Sequence, residues 1–420
     1  MKKNKKLYFI LYVLLLSGLL FSFTLYRSIT TGITYDEAFT YINYVYRKPF
    51  YVFSHIFEVG TLANNHLLNS FGISCLNNIF NSSYSELIIR LPNVLSYIIY
   101  FIFCYLIVKN NKYKYSSFSL LALNYGANEF FGLGRGYGMA SAFVLGGIYF
   151  FKEYLKKEKN IFLTLSYLFL LLGCYANTAS LIVYASVIFI SLFVLIKNKK
   201  IFKYSFKQFY LLIPIIILTL LVIKYHFMVS SDGLPLYGGV GSFYSDVLVS
   251  MFNVYGLSLN NSIYVVNGVI LILIIILSKK SNELFKNYII ISGILFFLLL
   301  IFITKVTGNM WMTGRSLIPS IPLFIMVIIE TVELVNVKNK VFLQLLIIIP
   351  ILVLFISNFN LKGTREWADN YIIKDICYNA YKQKDNSKVS EYRTNQATFF
   401  YYNKILKKYN YDIFNESVKK

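Results

Sequence analysis

The fold is decided by the segment "MKKNKKLYFILYVLLLSGLLFSFTLYR", residues 1–27, which joins a lysine cluster to an unbroken apolar run. A helix needs about 20 apolar residues to cross the hydrocarbon core of a bilayer, and this run has that length. The segment lacks the small-residue cleavage site of a secretory signal peptide. We therefore expect a retained signal anchor whose span covers 7–27.

Similar apolar runs recur along the whole chain. Of its 420 residues, 57% are hydrophobic, 18% aromatic and only 14% charged, whereas a soluble domain carries about 25% charged residues. A backbone in lipid must satisfy its own hydrogen bonds, and no segment alternates like a barrel strand, so the spans are helical. The predicted fold is an all-α polytopic membrane protein with about 11 transmembrane helices. The predicted spans are 7–27, 87–108, 115–133, 137–152, 160–177, 179–197, 208–227, 262–278, 287–306, 315–336 and 341–358.

The net charge of +22 reflects how the chain is oriented across the membrane. Lysine clusters such as "KEYLKKEK" and "KNKKIFKYSFK" separate the apolar runs, and every second gap lacks such a cluster. This alternation follows the positive-inside rule, which predicts a cytoplasmic N-terminus and an extracytoplasmic C-terminus. It also argues against a nucleic-acid partner. Residue usage heavy in Lys, Asn, Ile and Tyr is typical of an AT-rich bacterial genome, so we expect a bacterial plasma membrane.

Two parts of the chain are predicted to lie outside the membrane on the extracytoplasmic side. Within a transmembrane module of residues 1–358, the first outer loop, 28–86, contains stretches typical of short interfacial helices at 36–47 and 62–80. Residues 359–420 have ordinary soluble composition and predict a small α/β domain, with a strand-like stretch at 387–392 between two helix-like segments.

The first outer loop holds an adjacent acid pair in "TTGITYDEAFTYINYV", residues 30–45. Thr34 and Glu37 have the S/T-x-x-E spacing of a capping box, so Asp36 and Glu37 would open a short helix. A carboxylate in this position is stabilised by the helix dipole, which also suits a catalytic base or a partner for a cation. The residues alone leave both interpretations open.

A second polar stretch, "NNHLLNS" at 64–70, places Asn65 and His66 in the same loop. A single histidine is more often structural than catalytic, but this one lies among amides rather than on an apolar face. No histidine or cysteine in the chain has recognisable metal-ligand spacing.

Several cations break the rule that the outer loops lack Lys and Arg. Each alone fits an interfacial anchor reaching the lipid headgroups. Together they predict a site for a phosphate at the membrane surface, because the planar guanidinium binds phosphate oxygens bidentately. The residues at these span ends, with the tyrosine of "LGRGYG", are Arg90, Arg135, Tyr137, Lys305 and Arg315.

These stretches together resemble the GT-C superfamily of polytopic glycosyltransferases, in particular the branch of protein O-mannosyltransferases and aminoarabinose transferases. The likeness lies in "YDEAFTY" after the first span, in "NNHLLNS" with Leu67 where the family often has proline, in the "R-x-Y" of Arg135 and Tyr137, and in "RSLIPSIP" at a late span. Each motif is short, so the order of the motifs and the topology carry the likeness over essentially the whole chain.

The resemblance implies a transferase that uses a polyprenyl-phosphate-linked sugar and acts on a glycan, lipid or protein acceptor. Asp36 would be the catalytic base of an inverting single displacement, with Glu37, Asn65 and His66 orienting the acceptor or the base. The donor phosphate would be bound by Arg135, Tyr137 and Arg315, with Lys305 and Arg90 as further ligands. No cofactor is assigned, and a divalent metal stays open because some members of the superfamily use one.

Two other functions fit a polytopic protein with outer cations. A flippase or transporter for a lipid-linked sugar would place charges at mid-membrane on broken helices, whereas the charges here lie at span ends. An O-antigen polymerase or ligase would concentrate its chemistry in a large late loop, and the late loops here are modest. The early acid pair favours the transferase.

Overall fold

The structure is a computed structural model. It describes residues 2–45, 49–54, 56, 65–80, 84–197, 206–231, 238–254, 284–307, 311–365, 367, 370–384, 396–408, 410 and 412–413. Within these residues, six helices are long and apolar enough to cross a membrane by length and composition. This confirms the predicted helical membrane protein in its coarse form. The predicted span at 262–278 and the strand-like stretch at 387–392 lie outside the described residues.

Nearly all regular structure in the described part is helical. Its strands are the two-residue β1 (Gly238–Gly239) and β2 (Trp311–Met312), which pair antiparallel. A π-helical turn, Tyr41–Val45, extends α2, and a 3₁₀ turn, Gly314–Ser320, leads into α14. The helices are α1 Lys2–Thr30, α2 Tyr35–Thr40, α3 Tyr51–Ser54, α4 Leu67–Ile79, α5 Glu86–Val108, α6 Lys114–Ala122, α7 Tyr125–Phe131, α8 Tyr137–Lys157, α9 Asn160–Ala176, α10 Leu181–Lys197, α11 Phe206–Ser231, α12 Val249–Val254, α13 Leu284–Thr307, α14 Ile321–Leu334, α15 Lys340–Ser357, α16 Asn370–Gln383 and α17 Gln396–Lys407.

The predicted span 115–133 is not one continuous helix. It comprises α6 and α7, which are separated at Leu123 and Asn124. The Asn124 side chain accepts a hydrogen bond from Ala127 N at 2.8 Å and so caps the start of α7, while Asn128 Nδ2 donates to Ala122 O at 2.8 Å. An N-cap of this kind competes with continuation of the preceding helix, so the apolar run is divided.

The centre of the described structure is the antiparallel pair α8 and α9, against which α5 packs. The two helices approach closely at Gly147, where an added Cβ would lie 2.5 Å from Leu170 Cγ. Ser166 Oγ donates to Gly147 O at 2.8 Å across the same contact. Small residues and interhelical hydroxyl bonds are the usual means of packing helices in lipid. The turn before α8, which carries Arg135, therefore lies at one end of this helix pair.

The segment after the last long helix packs onto the segment between α1 and α5. Tyr401 and Tyr402 of α17 share an apolar cluster with Ala38 and Tyr41 of α2 and its π-helical extension. The Tyr402 hydroxyl accepts a hydrogen bond from Ile33 N at 2.9 Å. The two helices predicted beyond residue 359 are therefore present, and α17 covers the helix of the acid pair.

Candidate active site

The acid pair opens α2 through the predicted capping box. Thr34 Oγ1 accepts a hydrogen bond from Glu37 N at 3.1 Å, and Glu37 Oε2 accepts one from Thr34 N at 2.8 Å. Both reciprocal bonds are present, so the capping box is confirmed. It fixes the direction in which Asp36 and Glu37 leave the helix.

Glu37 forms a wholly buried ion pair with Arg90 of α5. Arg90 Nε lies 2.9 Å from Glu37 Oε1 and Nη2 lies 2.8 Å from Oε2, a bidentate pair with both side chains 0% exposed. Burial alone would raise the pKa of Glu37. The Arg90 charge and the hydrogen bonds from Arg90, Gly134 N and Thr34 N outweigh that effect, so the pKa is lowered and the carboxylate stays ionised.

Arg90 has no N–H left for a ligand. Besides the pair with Glu37, its Nη1 donates to Ser28 O and to the carbonyl and hydroxyl of Thr31. Its Nη2 also donates to Gly32 O at 2.8 Å. All five guanidinium donors are thus used within the protein. The geometry favours a role for Arg90 in holding α1, α2 and α5 together, rather than the predicted binding of a donor phosphate.

Hydrogen bonds from α2 and α4 fix the loop that carries Arg135, and α5 supports the bond from α4. Gly134 N donates to Glu37 Oε1, and Gly134 O accepts from Asn69 Nδ2 at 2.9 Å. Asn93 Nδ2 in turn donates to Asn69 Oδ1 at 2.6 Å. The sequence analysis missed Asn69 and Asn93. The available signal was an amide inside the apolar segment "RLPNVL", since polar groups within spans are usually functional or glue helices together.

Asp36 lies between two arginines that are distant in sequence. Its Oδ2 is 3.3 Å from Arg135 Nη2 and 3.0 Å from Arg315 Nη1. Arg135 Nη1 also contacts Thr40 Oγ1 at 3.2 Å. The side chains of Asp36 and Arg135 are buried, whereas Arg315 is 12% exposed. Three predicted site residues from α2, the α7–α8 turn and the 3₁₀ turn before α14 therefore meet at one point.

Arg315 is held from the other side by Trp367. Its guanidinium carbon lies 4.9 Å from the centroid of the Trp367 ring, a cation–π contact. Phe130 of α7 meets the same indole, with ring centroids 6.2 Å apart. Trp367 follows the last long helix, in a region predicted from sequence to be a separate domain. Its contact with Arg315 was therefore not predicted.

A second buried ion pair anchors the segment that carries Trp367. Arg27 Nη2 lies 2.9 Å from Glu129 Oε1 and also donates to Gly363 O at 2.8 Å. Glu129 Oε1 accepts from Arg365 N at 3.1 Å. The end of α1 and helix α7 thus clamp the backbone just before Trp367. Neither Arg27 nor Glu129 was singled out from sequence, although Glu129 is the only acid in the predicted span 115–133.

Asn65 and His66 lie beside this group at the start of α4. The imidazole of His66 meets the ring of Tyr137 edge to face, with centroids 5.1 Å apart, and its Nδ1 lies 3.4 Å from Asn177 Nδ2. Burial, followed by the charges of Arg135 and Arg315, lowers the pKa of His66 well below its usual value. The imidazole is therefore neutral at pH 7.

Lys305 differs from the other predicted site residues. It is exposed in the last turn of α13, and no ion pair or hydrogen bond joins it to the Asp36 group within the part of the chain that the structure describes. The described residues also contain no group of three His, Cys, Asp or Glu side chains able to hold a metal ion.

No model of a known protein family matches this chain. A search of curated proteins likewise finds no match. One carboxylate and two guanidinium groups give the centre a net positive charge, and Arg315 is its partly exposed member. Such a centre can bind an anion and still supply a carboxylate that accepts a proton.

Proposed function

We propose that this protein is a membrane glycosyltransferase of the GT-C type. It moves a sugar from a polyprenyl-phosphate donor to a hydroxyl group of a glycan, lipid or protein acceptor at the extracytoplasmic face of a bacterial plasma membrane. The single observation that carries the proposal is the position of Asp36 between Arg135 and Arg315, at 3.3 and 3.0 Å. The two arginines bind the phosphate, and Asp36 is the base.

The reaction is a single displacement. The acceptor hydroxyl attacks the anomeric carbon, its proton passes to a carboxylate oxygen of Asp36, and the bond from the anomeric carbon to the phosphate oxygen breaks with its electron pair leaving on the phosphate. Arg135 and Arg315 stabilise the phosphate as charge develops on its departing oxygen. When the phosphate occupies the guanidinium groups, it competes for their N–H donors and releases Asp36 toward the acceptor.

The remaining residues act around this centre. Glu37 and Arg90 position α2, and Tyr137 and His66 line the side of the centre next to Arg135. Lys305 remains a predicted phosphate ligand. In this proposal the protein has about 11 spans, and the helices beyond residue 359 belong to a small extracytoplasmic domain.

The proposal is tested by transfer of radiolabel from a polyprenyl-phosphate hexose in membranes that contain the protein. Asp36→Asn should lower transfer by at least about 100-fold, because general-base catalysis contributes about 10²–10⁴-fold. Asp375→Asn, on the exposed face of α16, is the matched control and should transfer like wild type. Equal transfer by wild type and Asp36→Asn would remove Asp36 as the base. Movement of the intact lipid across the bilayer without a new glycosidic bond would identify a flippase instead.

A further inference from the structure

Two adjacent side chains next to the arginines are buried with their polar ends unused. Within the residues that the structure describes, both amide polar atoms of Asn65 and Nε2 of His66 have no hydrogen-bond partner, although the two residues are only 2% and 6% exposed. Buried polar side-chain atoms are normally paired, and each exception requires an explanation. Packing alone does not explain these three atoms, because an apolar side chain would fill the same space without the cost of desolvation.

Two hydrogen bonds hold the backbone of Asn65 and His66 and so fix the positions from which their side chains extend. Tyr225 Oη donates to Asn65 O at 2.7 Å, and His66 O accepts from Ser70 N at 2.8 Å in the first turn of α4. The unused polar atoms are therefore part of an ordered region. Preorganised polar groups of this kind are characteristic of binding sites.

The His66 side chain lies directly beside the proposed phosphate site, and Asn65 precedes it in the chain. The Cβ of His66 would be 3.0 Å from a Cβ built on Gly136, the residue that follows Arg135. The charges of both Arg135 and Arg315 act on the imidazole, and Tyr137 covers one side of it. A group attached to a phosphate on the arginines would therefore lie close to His66.

The chemistry of these atoms selects hydroxyl groups. An amide offers both a donor and an acceptor, and a neutral imidazole offers one or the other at Nε2, which matches hydroxyls that donate and accept. Two guanidinium groups close by repel a positively charged substituent in a site of low dielectric. The combination fits an uncharged polyhydroxyl group and opposes an ammonium group.

We propose that Asn65 and His66 form a subsite for the hydroxyl groups of an uncharged hexose, carried on the donor beside the phosphate bound by Arg135 and Arg315. The subsite discriminates against sugars that carry an ammonium group. This inference rests on the proposed function and deepens it, because it names the class of sugar that the same site takes. It also gives Asn65 and His66 a role toward the donor sugar rather than toward the base.

Binding to the purified full-length protein in lipid nanodiscs tests the subsite. The probes are polyprenyl-phosphate mannose, polyprenyl-phosphate glucose, polyprenyl-phosphate 4-amino-arabinose and polyprenyl methyl phosphate. The methyl ester has the same phosphodiester charge as the glycosyl lipids and carries no sugar. Wild type should bind at least one hexosyl lipid about tenfold more tightly than the methyl ester, the gain expected from about two hydrogen bonds. The amino sugar should bind no more tightly than the methyl ester.

Substitutions separate a subsite from a structural role. Asn65→Ala and His66→Ala should each reduce the hexosyl preference by about fivefold or more, with the affinity for the methyl ester unchanged. His66→Gln retains a donor and an acceptor and should restore part of the preference. Asn43→Ala, an exposed asparagine of the same inter-helix segment, is the control and should bind like wild type.

The inference and the proposed function fail in different ways. Equal affinity of wild type for the methyl ester and both hexosyl lipids overturns the subsite, as does a uniform loss for all probes in Asn65→Ala and His66→Ala. If no polyprenyl phosphodiester binds, or if Arg315→Gln leaves their binding unchanged, the phosphate site fails and the subsite fails with it. Hexosyl preference without glycosyl transfer supports the subsite and removes the transferase.

Discussion

Asp36 and Glu37 are neighbours in sequence, and the fold separates their roles. Successive residues of a helix point about 100° apart, so the two carboxylates meet different elements. Glu37 enters a fully buried pair with Arg90, whereas Asp36 meets Arg135 and the partly exposed Arg315. One acid thus secures the helix, and the other is placed where a ligand can exchange with its partners.

The buried pair makes a prediction at the level of one residue. Glu37→Gln should destabilise the protein by about 3–5 kcal/mol, because it leaves the charge of Arg90 buried without compensation. The measurement is the free energy of unfolding in mixed micelles with increasing denaturing detergent.

Glu153 supplies the control for this substitution. It pairs with Lys157 one helical turn away, and the lysine is 45% exposed. Glu153→Gln should therefore cost less than about 0.5 kcal/mol, as for other solvated pairs within a helix. Similar losses for both variants would contradict a structural role for the Glu37–Arg90 pair.

At the level of elements, the turn between α7 and α8 carries the site. It passes so close to the end of α9 that a Cβ on Gly136 would lie 1.8 Å from Ala176 O. The atoms that the Cβ would meet belong to the backbone, so no change of side-chain rotamer can relieve this contact. The close approach places Arg135 beside Asp36 and brings His66 against the same turn.

Gly136→Ala should therefore displace the turn. We expect a loss of about 1–3 kcal/mol in stability, the usual cost of overpacking, and a loss of binding to polyprenyl phosphodiesters because Arg135 moves with the turn. The measurements are the unfolding free energy and lipid binding in nanodiscs.

Gly18 is the matched glycine. It lies within α1, and an added Cβ would meet no atom within 4 Å. Gly18→Ala should remain within about 1 kcal/mol of wild type, on the stabilising side, because alanine favours the helix. If Gly136→Ala behaved in the same way, the close backbone contact would not be a determinant of the site.

At the level of the whole molecule, the C-terminal region returns to the beginning of the chain. The backbone at Gly363 is bound by Arg27 of α1, Trp367 stacks on Arg315, and α17 covers α2. The acid pair is thus enclosed by residues from both ends of the sequence. A rearrangement that admits a substrate would therefore have to displace segments from both ends of the chain.

The predicted topology can be measured by cysteine labelling in spheroplasts with a membrane-impermeant maleimide. In a Cys75→Ser background, Lys408→Cys should react in intact spheroplasts, because the region after α15 is predicted to be extracytoplasmic. Lys338→Cys, in the exposed connection before α15, should react only after permeabilisation. The other three cysteines are buried and contribute little background. The reverse pattern would contradict the predicted orientation.

The helical class, most helix positions and the capping box of Thr34 and Glu37 were predictable from the sequence, because they depend on local hydrophobicity and on hydrogen bonds within a few residues. The sequence also singled out Asp36, Arg135 and Arg315. Only the resemblance to a family placed Arg315 ahead of Lys305 and Arg90, since all three are cations at span ends. The apolar run 115–133 was predicted as one span, although Asn124 caps a new helix there.

The pairing of each cation with its acid depends on the packing of distant segments. Arg90 is used up by Glu37 and by backbone carbonyls, whereas Arg135 and Arg315 converge on Asp36 from elements some 100 to 280 residues away in the chain. Arg27 likewise joins Glu129, 102 residues away, and Gly363, 336 residues away, and Trp367 supports Arg315 from a different element. Periodicity and motif spacing carry no information on such pairings, because they arise from how the helices pack and not from the order of residues along any one of them.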